Sequence, residues 1–244
     1  MDALTVIALS FAAGVATVLG GLLYDIVRID RRLLQWALSG STGLVLSIVF
    51  LGLMPAAVQL GGNGYTAMGF VLGGIVFMIT GTLFPHTYLY EKYEDKLYSI
   101  LKTGTLVLAG VVLYNIAAGL AIGAGFAHSA SAGFAIAAAV ALQNIPRGVA
   151  IKSPMSQTGI DRRSILGMML LAGVVCLFSA ALMFLAVSGS ADVILASGLA
   201  FSSGAFSFIF VDQMIPLLKS GRRPHELAIS LFAGLFLGIL ILGI

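Results

Sequence analysis

Residues 114–123 read YNIAAGLAIG and residues 143–152 read QNIPRGVAIK, so the two decapeptides share Asn, Ile, Gly, Ala and Ile in register. Each copy sits inside a long apolar run and predicts a hydrophobic helix interrupted by polar residues. The connection between them is short, which makes the two helices antiparallel. Residues at i and i+4 share a helix face, so Gln143 lies in line with Arg147, and Tyr114 with Ala118, while Asn144 and Asn115 sit one step round. Pro146 lacks a backbone donor and frees a carbonyl about four residues earlier, which predicts a bent, polar helix facing a cavity. A polar motif repeated on oppositely directed helices is how membrane transporters place a site near the bilayer midplane.

The rest of the chain agrees with a membrane setting. Of 244 residues, 59% are hydrophobic and 9% charged, against about 25% charged in an ordinary soluble domain. A crossing helix needs roughly 20 apolar residues, and apolar runs predict helices near 3–24, 33–58, 65–85, 99–125, 132–152, 164–187, 192–218 and 225–244. These use up the length and predict one transmembrane domain over residues 1–244: all-α, polytopic, with eight helices. The first run has Asp2 before it and Arg28, Arg31 and Arg32 after it, the wrong polarity for a cleaved leader, so it reads as a retained helix. Cys176 is the single cysteine and lies in an apolar run, which excludes a disulfide framework and predicts a packing role.

Basic residues orient the bundle. Of 13 Lys and Arg, twelve fall at the junctions of helices one and two, three and four, five and six, and seven and eight; the other is Arg147. That asymmetry predicts those junctions in the cytoplasm and both termini outside, and it explains the +3 net charge without a nucleic-acid partner. The segment 86–98, HTYLYEKYEDKLY, with its four tyrosines, reads as an interfacial aromatic belt. Spacings such as Gly69-xxx-Gly73, Gly119-xxx-Gly123 and Gly234-xxx-Gly238 read as seams where helix backbones approach closely.

Besides Arg147, the ionisable residue well inside a span is Asp212, followed by Gln213 and preceding Pro216. Both charges lie roughly 8–10 Å inside the basic boundary at 1.5 Å per residue. A charge at a helix centre costs about 2.5–3.5 kcal/mol even on the lenient insertion scale, so a partner or wet cavity is expected, and an Arg147–Asp212 ion pair is the simplest arrangement.

These residues resemble the ZIP family of divalent-metal transporters, whose hallmark HNxPEG recurs on helices four and five; here the copies read YNIAAG and QNIPRG. The resemblance extends to LMPAA at 53–57, FPH at 84–86 and VDQMIP at 211–216. It implies a ZIP-like bundle with extracytoplasmic termini and entry of zinc, iron or manganese through a two-metal site between helices four and five. At the family's histidines this chain has Tyr114 and Gln143, and at its glutamates Ala118 and Arg147; Gly52, Val175 or Cys176, and Gln213 stand at further acidic positions. Borderline divalent metals favour imidazole and carboxylate donors, so the residues predict a degenerate metal site with Asn115, Asn144 and Asp212 as the surviving weak donors. A guanidinium about 4 Å from a cation repels it by about 4 kcal/mol per unit-charge pair at an effective dielectric near 20.

The transport pathway is therefore expected among Tyr114, Asn115, Ala118, Gln143, Asn144, Arg147, Asp212 and Gln213. Three readings stay open: weak-contact transport of a divalent metal, transport of an anionic or other non-metal solute on Arg147, and a non-transporting binding or regulatory relative plugged by Arg147–Asp212. No Ser/His, paired-Asp or HExxH arrangement appears in the spans, so no enzyme is expected. His86, His128 and His225 read as solvated residues of loops and helix ends. The partners expected are the lipid bilayer and a small ion or solute, with no cofactor other than the metal as substrate; a homodimer is compatible. Compact loops point to a prokaryotic inner membrane.

Overall fold

A computed structural model describes residues 2–27, 29–83, 96–156, 159–220 and 224–243, with the side chains of 31, 96–108, 154 and 213–220 outside that description. The described chain is helical: α1 (Ala3–Ile26), α2 (Arg31–Ser47), a π-helical turn (Ile48–Leu53), α3 (Met54–Leu83), α4 (Lys96–His128), α5 (Ala130–Met155), α6 (Arg162–Val187), α7 (Asp192–Ser220) and α8 (Pro224–Leu242). Among the described residues, seven stretches are long and apolar enough to cross a membrane. Their outer faces carry large apolar side chains such as Phe178, Leu182, Leu185 and Phe232, each more than 60% exposed. Such a surface needs lipid rather than water against it. The aromatic segment 86–98 and the FPH motif fall largely outside the described residues.

The predicted polar break between helices two and three is smaller than expected. Helix geometry continues past Ala57 and Pro55 up to Gly61, and the chain turns at Gly62, whose φ of 71° and ψ of 176° lie where a side chain is strained. The whole stretch Arg32–Leu83 has 52 residues, roughly 78 Å of helix, more than twice the hydrocarbon core of about 30 Å. At the other predicted break, α4 runs to His128 and only Ser129 separates it from α5. Helix α5 passes through Pro146 as one helix from Ala130 to Met155. Asp30 and Asp161 cap α2 and α6 by accepting from Leu33 N–H and Ser164 N–H. The Ser164 hydroxyl and amide hold the Asp161 carboxyl below its ordinary value.

Glycine sets how these helices pair. A Cβ on Gly20 would fall within 3.0 Å of the Ile145 carbonyl on α5, and one on Gly148 within 3.0 Å of Thr17 O on α1. Gly119 and Gly123 of α4 meet Cys176 O and Ala180 O of α6; Gly69 and Gly73 of α3 meet Ser197 O and Phe201 O of α7; Gly234 and Gly238 of α8 meet Gly40 and Ser47 of α2. All three small-residue spacings are thus backbone seams. In the last three pairs residue numbers rise together, and between α1 and α5 Ala13 meets Asn144 while Asp25 meets Lys152, so α1 with α5, α2 with α8, α3 with α7 and α4 with α6 run parallel. Helix α1 also crosses α6 with Gly14 on Gly173 and Gly21 on Met169, an antiparallel register. Helices α1, α4, α5 and α6 pack as one group; the α3–α7 pair lies against α4 and the α2–α8 pair against α5, and these two pairs meet each other chiefly through the π-helical turn.

Candidate functional site in the helix bundle

The antiparallel crossing of α4 and α5 brings three of the eight predicted pathway residues together. The Tyr114 hydroxyl donates to Gln143 Oε1 across the crossing. One turn further along α5, the Arg147 guanidinium lies over the Tyr114 ring, its Cζ 3.1 Å from the centroid. Tyr114 is 1% exposed and Arg147 7%, so the cation rests on an aromatic face in a dry interior, a contact worth about 2 kcal/mol or more when desolvated. That offsets much of the cost of holding Arg147 within a span. Phe206 of α7 packs its ring at 64° to Tyr114, 5.9 Å between centroids. Tyr114 and Gln143 line a small cleft with Thr42 and Val45 of α2 and Phe206 and Phe210 of α7, which puts this face of the cluster where α2 and α7 approach the α4–α5 crossing. Ala118, one turn from Tyr114, is fully buried in the apolar core and supplies no donor.

The repeated asparagines point elsewhere. Asn144 Nδ2 donates to the Ala13 carbonyl of α1 at 2.7 Å, and Asn115 Nδ2 to Val111 O of its own helix at 2.9 Å. Both residues are fully buried, yet among the described residues neither Oδ1 has a hydrogen-bond partner, and the same holds for Thr17 Oγ1. A buried polar atom left without a partner costs about 1–3 kcal/mol, so these three atoms, on α1, α4 and α5, are spare oxygen donors in the buried interior. Ser179 of α6, near the Val175 and Cys176 positions, donates to Val175 O at 2.7 Å and approaches Asn115 O at 3.3 Å. Cys176 is free, buried and packed in the core, as its apolar setting predicted.

Asp212 is half-buried near the end of α7, and both it and Arg147 have interaction partners. The side chain of Gln213 lies outside the described residues. His128 and His225 are exposed at helix ends, and His86 is outside the description. Among the described residues no three His, Cys, Asp or Glu side chains gather as a metal-binding group. What the described cluster offers a cation is therefore neutral: carboxamide, phenol and hydroxyl oxygens, with one resident guanidinium.

A family model described as "ZIP Zinc transporter" matches residues 86–244, well over half of the chain and including both repeats and Asp212. The chain belongs to the ZIP family. It is 27% identical over 197 residues to the zinc transporter GufA of Myxococcus xanthus, 77% of each chain being covered. It is 29% identical over 221 residues to the zinc transporter ZupT of Enterobacter sp. strain 638, covering 86% of this chain and 85% of that one. A ZupT of Salmonella arizonae is 28% identical over 222 residues.

This ZIP chain also holds a charged cluster absent from the predicted set. At one end of the α1–α5–α6 group, Asp25 Oδ2 accepts from Lys152 Nζ at 2.5 Å and from Arg162 Nε at 2.7 Å, and the Tyr24 and Ser156 hydroxyls lie 3.3 Å apart beside it. Lys152 is 2% exposed, although it lies at the basic junction of helices five and six. The signal was an acidic residue at the end of an apolar helix next to the basic junctions. A second cluster at the start of α2 and α8 joins Arg32 to both Glu226 oxygens at 3.0 and 3.1 Å, with Trp36 Nε1 donating to the same carboxylate at 3.3 Å.

Proposed function

We propose that this chain is a bacterial inner-membrane ZIP transporter that moves a divalent metal ion, zinc among its substrates, along the α4–α5 crossing. Family membership that spans both repeats carries the reading, and the unpartnered Oδ1 atoms of Asn115 and Asn144 mark where an ion would be passed. Residues 1–244 form one transmembrane domain with eight crossings, the Arg32–Leu83 stretch supplying two that turn at Gly62. Both termini are outside, because the ion clusters of Lys152, Arg162 and Arg32 lie at the junctions that the positive-inside rule assigns to the cytoplasm. With Asn115, Asn144 and Asp212 as its donors the site is degenerate, weak in affinity, and suited to transit rather than storage. Asp212 supplies the pathway's negative charge and pairs with Arg147. No catalytic step is assigned to any residue, and the partners are lipid and the ion itself.

Uptake of zinc, iron and manganese by proteoliposomes holding the purified protein tests this. The wild type should accumulate at least one of the three, and Asp212→Ala should reduce the initial rate about tenfold or more, the loss expected when the one carboxylate of a low-dielectric pathway is removed. Metal uptake that is unchanged in Asp212→Ala overturns the role of Asp212. No metal uptake by folded wild type overturns transport of metal. Anion uptake that depends on Arg147 would then indicate the anion reading, and no flux of any solute the plugged one.

A further inference from the structure

We propose that the Asn144 carboxamide is a two-position switch and that Thr17 of α1 is the positioning residue that releases it: the Thr17 hydroxyl takes over the Ala13 carbonyl when Asn144 leaves that carbonyl to engage the transported ion. The inference rests on the metal-transport reading, in which Asn144 supplies an oxygen to the ion. It assigns a role to a residue of α1 that lies outside both repeats.

Three observations carry it. Thr42, Thr66 and Thr80 each donate to the carbonyl four residues earlier, at 2.6, 2.8 and 2.7 Å, a bond that helical threonines commonly make. For Thr17 that carbonyl is Ala13 O, and Asn144 Nδ2 already donates to it at 2.7 Å. The Thr17 backbone N–H takes the other lone pair through the helix ladder, so the hydroxyl is shut out: it is fully buried and has no partner among the described residues. Two side chains thus compete for one acceptor. The seam holds them side by side, since a Cβ on Gly148, one turn beyond Asn144, would fall 2.0 Å from Thr17 O. Finally, Asn115, the matching residue of the first repeat, shows a second position for the amide: its Nδ2 donates to Val111 O, four residues back on its own helix, at 2.9 Å. The corresponding carbonyl for Asn144 is Val140 O. With Asn144 on Val140 and Thr17 on Ala13 both donors are paired, and the turn of the carboxamide re-aims its open Oδ1. The orphaned hydroxyl, which costs the resting arrangement stability, is satisfied only on release and so favours it.

Thr17→Val keeps the shape and removes the hydroxyl, whereas Thr17→Ser keeps the hydroxyl, so the two separate a switch from a packing role. Three quantities are read: the unfolding temperature of zinc-free protein in detergent, zinc affinity by titrating the metal alone into the same protein, and zinc KM from proteoliposome uptake. Thr17→Val should unfold about 2–4 °C higher, because the orphan is gone, yet bind zinc about tenfold more weakly with a correspondingly higher KM, because nothing replaces Asn144 on Ala13. Thr17→Ser should bind and take up zinc as the wild type does. A residue that only packs gives no such opposition of stability and affinity. Unchanged zinc affinity in Thr17→Val overturns the proposal, as does a lowered unfolding temperature in that variant, or a loss of affinity in Thr17→Ser as large as in Thr17→Val. Wild type that takes up zinc alongside an unimpaired Thr17→Val refutes this inference alone. Wild type that binds zinc without taking it up refutes the transport reading, and the titration still decides the switch; wild type that neither binds nor takes up zinc refutes both.

Discussion

Valine at Gly73 should leave almost no folded protein to purify from membranes, whereas valine at Gly167 should purify as the wild type does. At Gly73 an added Cβ falls within 3.0 Å of the Phe201 carbonyl oxygen, carbonyl carbon and Cα, and opposite it a Cβ on Gly204 would strike Phe70 O. Every atom in the way is backbone of a neighbouring helix, so no rotamer change relieves the clash. Overpacking costs about 1–3 kcal/mol even where side chains can shift; here α3 and α7, the most extensive helix pairing in the bundle, must separate along their length. Against a total stability of about 5–15 kcal/mol, and with dispersion the main term holding helices together in lipid, separation of this seam removes the fold. A Cβ on Gly167 meets nothing within 4 Å. Monodispersity and yield in detergent distinguish the two variants, and a well-folded Gly73→Val protein would show that the seam gives where the structure has it closed.

The cluster at the end of α1 gives an asymmetric pair of variants. Asp25→Asn should lower stability by about 3–5 kcal/mol, the cost of leaving a buried charge without its partner, because Lys152 is 2% exposed and Asp25 is its carboxylate. Lys152→Met should cost far less or even stabilise, since an apolar chain suits that buried position while Asp25 keeps the Arg162 bond. Arg162→Gln should be nearly silent: its side chain is 61% exposed and a surface ion pair contributes about 0–1 kcal/mol. Thermal unfolding of the three variants in one detergent checks the order. Equal losses in Asp25→Asn and Lys152→Met would mean that Lys152 reaches water in the bilayer.

Much of this architecture was legible in the residues. Runs of apolar residues separated by short polar breaks define most of the helices, and the glycine spacings mark the seams because only a missing side chain lets backbones touch. The repeated motif placed Gln143 and Arg147 on one face of α5 and set Tyr114 in the matching position on α4. Two things were not legible. Periodicity places residues on faces of their own helix but does not say which helix lies opposite, so the Asn144 bond to Ala13 and the orphaned Thr17 hydroxyl on α1 had no signal beyond a polar residue in an apolar run. The Asp25–Lys152 pair was hidden for a similar reason: each residue sits at a helix end, where charge is ordinarily solvated, and only the packing of α1 on α5 and α6 encloses it. The chemistry of Arg147 was half visible, since its charge was plain but its seat on the Tyr114 ring required the crossing to be seen.

The measurement that bears most directly on the central claim is the initial rate of zinc uptake into proteoliposomes by the wild type and by the Asn115→Leu, Asn144→Leu double variant, which replaces both open oxygens with apolar side chains of similar size. Saturable uptake in the wild type, lost in the double variant while its unfolding temperature stays close to wild type, is the predicted result. Equal zinc uptake by the two proteins would contradict the account, because the ion would then cross the bilayer without the open oxygens of Asn115 and Asn144.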